Sequence, residues 1–204
     1  MSELHPTKRM SPRTRSASDD DIIDAAIRAI GHTGPARLTL ATVAAEVGLS
    51  PATLLQRFGS KRGLLLAVAR RASRDNTAAF DAARAANPSP LGALIDVVLA
   101  STRWFESPEA LANHLAFLQM DLTDPEFLEL AATASTAFRD GIRALLDDAV
   151  QAEEVAPCDT ARLAGAIDAT HGGSTLAWAI HRTGSLADWV RRDVETLLTP
   201  YMRR

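Results

Sequence analysis

The stretch LTLATVAAEVGLSPATLLQRFGSK, from Leu38 to Lys61, constrains the fold most, because it encodes two short amphipathic helices joined by a very tight reversal. Thr39 is an N-cap for a first helix in which Leu40, Val43, Ala44 and Val47 recur at the i, i+3, i+4, i+7 spacing of one buried face. Gly48 ends that helix, since reversing the chain within a few residues needs a left-handed backbone, which glycine adopts without steric cost. Leu49 plugs the space between the helices and Ser50 caps the second. Pro51 takes the first helical position, where its missing amide hydrogen costs nothing. Leu54 and Phe58, one turn apart, pack inward, which leaves Pro51, Ala52, Thr53, Gln56 and Arg57 on or near the outer surface.

This is a helix-turn-helix pattern. A protruding helix with an amide, a hydroxyl and a guanidinium fits a DNA major groove, and an ordinary helical hairpin with a solvated face is the other reading of the same spacing. The string resembles the DNA-binding domain of the TetR family of bacterial transcriptional regulators. The resemblance rests on Leu38, Thr39, Val43, Ala44, Val47, Gly48, Leu49, Ser50, Thr53, Leu54, Phe58, Ser60, Lys61 and Leu64 in combination, within about the first third of the chain. Two residues depart from the family pattern. Leu55 stands where a phosphate-contacting tyrosine is usual and Ala52 where glycine is common, so the resemblance implies weaker anchoring at that point.

The resemblance implies an all-α fold of about nine helices. An N-terminal three-helix DNA-binding domain would join a C-terminal helical ligand-binding and dimerisation domain. The chain divides accordingly into a flexible basic arm over 1–17, a helix-turn-helix domain over 18–62 and an effector-binding and dimerisation domain over 63–204. Ser18 to Asp21 reads as a capping box, followed by the stripe Ile22, Ile23, Ala26, Ile27 and Ile30 and a turn at Gly31 to Pro35. Ser60 caps a long helix from Lys61 to about Ala86, which Asn87-Pro88-Ser89-Pro90 closes. Further helices are expected from about Leu91 to Phe105, Ser107 to Asp121, Asp124 to Glu153, Cys158 to His181 and Ser185 to Met202.

Charge is distributed to match. Up to Arg71 the chain has 11 basic and 6 acidic side chains, and beyond it 11 and 19, so a cationic head carries an anionic body within a net charge of −3. Lys8, Arg9, Arg13 and Arg15 are either a solubilising tail or an arm reaching phosphates or the minor groove. The single Cys158 excludes an intramolecular disulfide, and neither a signal peptide nor an apolar span is visible, so a cytoplasmic location is expected.

The last two helices read as a dimer interface. Leu186, Trp189, Val190, Val194 and Leu197, with Leu198 and Tyr201, form a wide apolar stripe. Ala166, Thr170, Gly173 and Ala177 on the preceding helix let another helix come close. The same stripes also fit packing within one subunit. Because one helix-turn-helix reads only one half-site, DNA binding favours the homodimer.

Catalytic signatures are absent: no HExxH, no CxxC, no phosphate-binding glycine loop, and only His114 with Asp121, to be set opposite His171, as a candidate acid–base group. Neither enzyme activity nor a metal or cofactor is therefore expected. The same residues suit a ligand pocket. His114, Phe117, Leu118 and Asp121 share one helical face and His171, Ser174, Thr175 and Trp178 another, with Trp104, Phe105, Met120 and Phe138 as apolar walls. Ordinary core filling is the alternative for each aromatic residue.

The resulting expectation is a homodimeric DNA-binding transcriptional repressor, released from a palindromic double-stranded operator by a small-molecule effector. Thr39, Ser50, Thr53 and Lys61 would position the phosphate backbone, Gln56 and Arg57 would face base edges, and Pro51 and Ala52 would meet a thymine methyl, beside the apolar Leu55. The alternatives are a helical ligand-binding protein or enzyme whose DNA-binding head is vestigial, and a DNA-binding protein that responds to no ligand.

Overall fold

Local signals for helix starts are realised almost one for one. The computed structural model describes residues 17–105 and 107–203, so Lys8, Arg9, Arg13 and Arg15 lie outside the described residues. The helices are α1 (Asp19–Arg37), α2 (Leu40–Glu46), α3 (Pro51–Phe58), α4 (Lys61–Ala86), α5 (Pro90–Ala100), α6 (Pro108–Thr123), α7 (Pro125–Gln151), α8 (Thr160–His181) and α9 (Leu186–Leu198). Short 3₁₀ turns, Ser101–Trp104 and Thr199–Tyr201, follow α5 and α9. The architecture is all-α; among the described residues the only extended pairing is an isolated bridge between Val155 and Met202.

Side-chain caps explain where the helices begin. Ser18 and Asp21 form the expected capping box, Thr39 forms one with Thr42, and Ser50, Ser60, Ser107, Asp124 and Ser185 each accept a backbone amide of the first turn. Proline occupies the first helical position of α3, α5, α6 and α7, where no hydrogen bond is forfeited.

The first helix differs from expectation. Helical structure continues past Gly31 and is interrupted only at Gly34, which has φ 76° and ψ 161°. A Cβ at Gly34 would also lie 3.0 Å from Asn113 Oδ1 of α6, so both the backbone angle and the approach of α6 favour glycine there. The α2–α3 reversal is as expected. Gly48 has φ 68°, its amide donates to Ala45 O, and the Leu49 amide donates to Ala44 O at 2.9 Å, closing the end of α2 in a Schellman pattern.

Two apolar clusters form. The first packs Ile22, Ile30, Leu38, Val43, Leu54 and Leu64 from α1–α4, and takes in Phe127 from α7. The second packs Leu94, Val98, Ile142, Leu146, Ile167 and Val190 from α5 and α7–α9. α4 runs between them, with Leu64 in the first and Phe80 in the second, where Phe80 meets Phe138 edge-on at 5.4 Å. We refer to α1–α3 as the head and to α5–α9 as the body.

The body consumes much of the expected dimer stripe. Leu186, Val190 and Val194 are 4%, 0% and 2% exposed within one subunit, so this face of α9 belongs to the subunit's own core. A helix with one apolar face spends it once, and here the spending is internal. No helix among the described residues is long and apolar enough to cross a membrane.

Candidate nucleic-acid interface

The helix-turn-helix presents a small mixed surface. Leu54 is fully buried under α3, whereas Pro51, Ala52, Leu55, Gln56 and Arg57 are exposed. Thr53 is half-buried: its amide donates to Ser50 Oγ at 3.2 Å, and its hydroxyl lies 2.9 Å from the same oxygen. Thr39 is exposed at the start of α2, its hydroxyl accepting the Thr42 amide at 3.1 Å. Leu55, at 53% exposure, offers no polar atom to a phosphate.

Two of the expected DNA-facing cations are held within the protein. The Arg57 guanidinium donates to Ala17 O at 2.7 Å and lies 3.3 Å from Asp19 Oδ1, at the start of α1. Lys61 Nζ donates to Ala36 O at 2.8 Å, neutralising a carbonyl at the end of α1. Sequence reasoning missed Arg37. Its Nε donates to Thr33 O, it has no carboxylate partner among the described residues, and it lies two residues before the exposed Thr39 cap. That adjacency to a helix start was the available signal.

Other cations tie the helices together. Arg62 of α4 bonds Asp124 at 2.9 Å and Glu126 at 2.8 Å, and Arg70 bonds the same Glu126 at 3.0 Å. Hydrogen bonding to Arg62 holds the Asp124 carboxyl below the usual carboxylate range. The Arg62 guanidinium also lies 5.4 Å from the centre of the Phe127 ring. The corner between α6 and α7 is thus plugged into the head by one buried aromatic ring and clamped to α4 by two carboxylates. On the other side, Asn113 Nδ2 donates to Gly31 O at 2.8 Å, joining α6 to α1.

The expected ligand residues do not converge on one chamber. His171 Nε2 lies 2.8 Å from Ser101 Oγ, and its ring is 5.7 Å from that of Phe138; burial pushes this imidazole below its ordinary value against the pull of Asp168. Phe105 meets His114 edge-on at 5.1 Å. Phe117, by contrast, packs on Phe127 at 6.0 Å in the head cluster, and Leu118 is 44% exposed. On α8, Ser174 donates to Asp193 at 2.6 Å, Thr175 to the His171 carbonyl, and Trp178 Nε1 to Gly184 O at 3.1 Å. These groups serve helix packing within the body.

His114 and Asp121 form no acid–base pair either, since seven residues separate them by about 10 Å along a helix. His114 Nδ1 instead donates to Ala110 O at 2.8 Å. Asp121 Oδ1 is buried without a hydrogen-bond partner, and burial raises its carboxyl to about 6. Trp104 and His114 do line a cleft of about 620 Å³, but it lies between α1 and the Ser101–Trp104 turn with α6. No cluster of three or more His, Cys, Asp or Glu side chains suited to a metal occurs among the described residues.

The surface of α8 retains an apolar face. Ala166, Thr170 and Ala177 are half-buried and Gly173 is exposed, and sequence reasoning missed their neighbours Leu176 and Ile180, at 47% and 78% exposure. On α9, Trp189 and Leu197 are half-buried; Trp189 stacks on His181 at 5.5 Å and lies under Arg192 at 4.6 Å.

The chain is similar to known proteins in sequence and in fold. Residues 22–68 match the profile of the bacterial regulatory proteins of the tetR family. The HTH-type transcriptional regulator BetI of Agrobacterium fabrum is 33% identical over 162 residues, covering 78% of this chain and 73% of that protein. BetI of Rhizobium meliloti is 33% identical over 158 residues, covering 73% and 75% respectively. Among solved structures, SmeT, the repressor of the Stenotrophomonas maltophilia multidrug efflux pump SmeDEF, superposes with a TM-score of 0.66 at 18% identity, over 92% of this chain and 91% of that one. A regulator from Saccharomonospora viridis, solved in complex with choline, superposes with a TM-score of 0.72 at 19% identity, over 91% and 98%. These two structures share the fold.

Proposed function

The chain belongs to the TetR family of bacterial regulatory proteins and is a helix-turn-helix DNA-binding transcriptional regulator; from that premise we propose that it is a homodimeric repressor, released from a two-fold operator by a small-molecule effector. The observation that carries this reading is the α2–α3 corner, a fully buried Leu54 and a capped reversal that hold Pro51, Ala52 and Gln56 outward on one short helix. Gln56 faces a base edge, and Arg57 joins it when DNA draws the guanidinium away from Ala17 and Asp19. Thr39, Ser50, Thr53 and Lys61, with Arg37, position the phosphates, while Pro51 and Ala52 meet a thymine methyl.

Dimerisation uses the exposed face of α8, Ala166, Thr170, Gly173 and Ala177 with Leu176 and Ile180, beside Trp189 and Leu197 of α9. Pairing there sets two recognition helices about 34 Å apart, one turn of DNA. The DNA-binding unit spans 18–62 and the effector-binding and dimerisation unit 63–204, both acting in the cytoplasm. An effector that favours a different spacing of the heads releases the operator in proportion to its differential affinity for the two states. The clamp of Arg62, Asp124, Glu126 and Phe127 supports a route by which movement in the body reaches the head.

A gel-shift titration on the DNA upstream of the protein's own gene, at moderate salt and with random DNA as competitor, tests the reading. The expected result is a preference of at least about a thousandfold over random sequence. Equal affinity for both would overturn it.

A further inference from the structure

We propose that the cleft between α1 and the Ser101–Trp104 turn with α6 is a binding site for a small aryl carboxylate, held by Arg103 and stacked on Trp104. Its volume of about 620 Å³ falls in the range of small-molecule sites, and it lies between head and body rather than inside the body.

The chemistry of the lining selects the ligand. Arg103 spends only its Nε, on Ala100 O at 3.0 Å, and no carboxylate among the described residues pairs with it, so both terminal nitrogens are available to a bidentate acceptor. Arg28, across the cleft on α1, directs Nε and Nη2 to the same Glu46 oxygen at 2.7 Å and keeps Nη1 unengaged. Glu109 also lines the cleft, but Arg182 neutralises it at 3.0 Å. Among the described lining residues the one charge left without an opposite partner is that of Arg103, which attracts a carboxylate.

The apolar half of the ligand is specified by Trp104. This indole is 51% exposed within a concave site, with Nε1 unpartnered, and Ile27 supplies an apolar wall. An aromatic face open in a cleft offers stacking area for a flat ring. His114 holds its Nδ1 proton on Ala110 O and packs against Gly31, leaving Nε2 as an acceptor for a ligand hydroxyl. Because Arg28 belongs to α1 and Arg103 to the body, an occupant bridges the two and couples to head orientation; that consequence rests on the regulator reading, whereas binding itself does not.

Isothermal titration calorimetry on the full-length protein with benzoate and 1-naphthoate, against their uncharged amides, decides the matter. Each acid is expected to bind at least about tenfold tighter than its amide. Arg103→Gln should remove that advantage, Trp104→Ala should weaken both acids, and Arg84→Gln, on the far end of α4, should change neither. Equal binding of acids and amides, no binding of either acid, or unaltered acid binding by Arg103→Gln would overturn the proposal. A gel shift on the same samples separates the two readings. Operator preference without carboxylate binding removes only the cleft site, and carboxylate binding without operator preference removes only the repressor.

Discussion

Replacing Phe127 by alanine tests how the head is held. Phe127 starts α7 by chain position, yet it is 1% exposed within the head cluster, edge-on to Phe117 at 6.0 Å and 5.4 Å from the Arg62 guanidinium. Truncating a buried phenylalanine costs about 3–5 kcal/mol, from lost transfer energy and the cavity left behind. The aromatic pair accounts for about 0.5–1.5 kcal/mol of that. At about 2–4 °C per kcal/mol for a chain of this size, Tm should fall by about 10 °C. Because the ring is where the body enters the head's core, the calorimetric transition should also broaden or split as the head loses its partner. Leu128→Ala, one residue along and 46% exposed, is the control and should stay within about 0.5 kcal/mol. A Phe127→Ala loss below about 1 kcal/mol in urea titration, or an equal loss from Leu128→Ala, would refute the reasoning.

Asp121→Asn should stabilise the protein only at neutral and higher pH. Burial raises the folded carboxyl to about 6 from 3.8, so its contribution is full below the unfolded value and is lost as pH rises through about 6. The whole shift corresponds to about 3 kcal/mol, and because the side chain is partly open to water about 1 kcal/mol is expected at pH 8 and none at pH 3.5; a Tm gain that is the same at both pH values contradicts the assignment. Leu55→Tyr should tighten operator binding by about 1 kcal/mol through one new phosphate hydrogen bond, and unchanged binding would remove the anchoring argument. The pair Leu176→Glu and Ile180→Glu should convert dimer to monomer in sedimentation equilibrium while leaving the helical spectrum intact. A persisting dimer would exclude this face of α8.

Much of the fold was legible because its signals are local. Ser50-Pro51, Ser107-Pro108 and Asp124-Pro125 each place an amide acceptor and a residue without an amide hydrogen at the chain position where a helix starts. The recognition helix was legible for the same reason, since its inward and outward residues lie within two turns. What failed was non-local. The α1 interruption is confined to Gly34, inside the expected Gly31 to Pro35 turn, and its close approach to Asn113, distant in sequence, could not be read from spacing. Phe127 joined a cluster whose other buried members end at Ala69, and no periodicity in α7 announces that. On α8 polar and apolar residues are spread around the helix with no dominant face, so spacing could not tell which neighbour Ser174 or Trp178 meets. For α9 the stripe was read correctly as apolar, but spacing could not say that Leu186, Val190 and Val194 enter the subunit's own core while Trp189 and Leu197 stay half-exposed.

Selection of bound sequences from random double-stranded DNA by the full-length protein tests the central claim most directly. The account predicts enrichment of two half-sites related by two-fold symmetry, with recognition centres one helical turn or a small multiple apart. Gln56→Ala should relax preference at one position in each half-site by about 1–3 kcal/mol. Failure to enrich any sequence, or an enriched site whose preferences are indifferent to Gln56, would contradict the assignment of α3 as the reading helix.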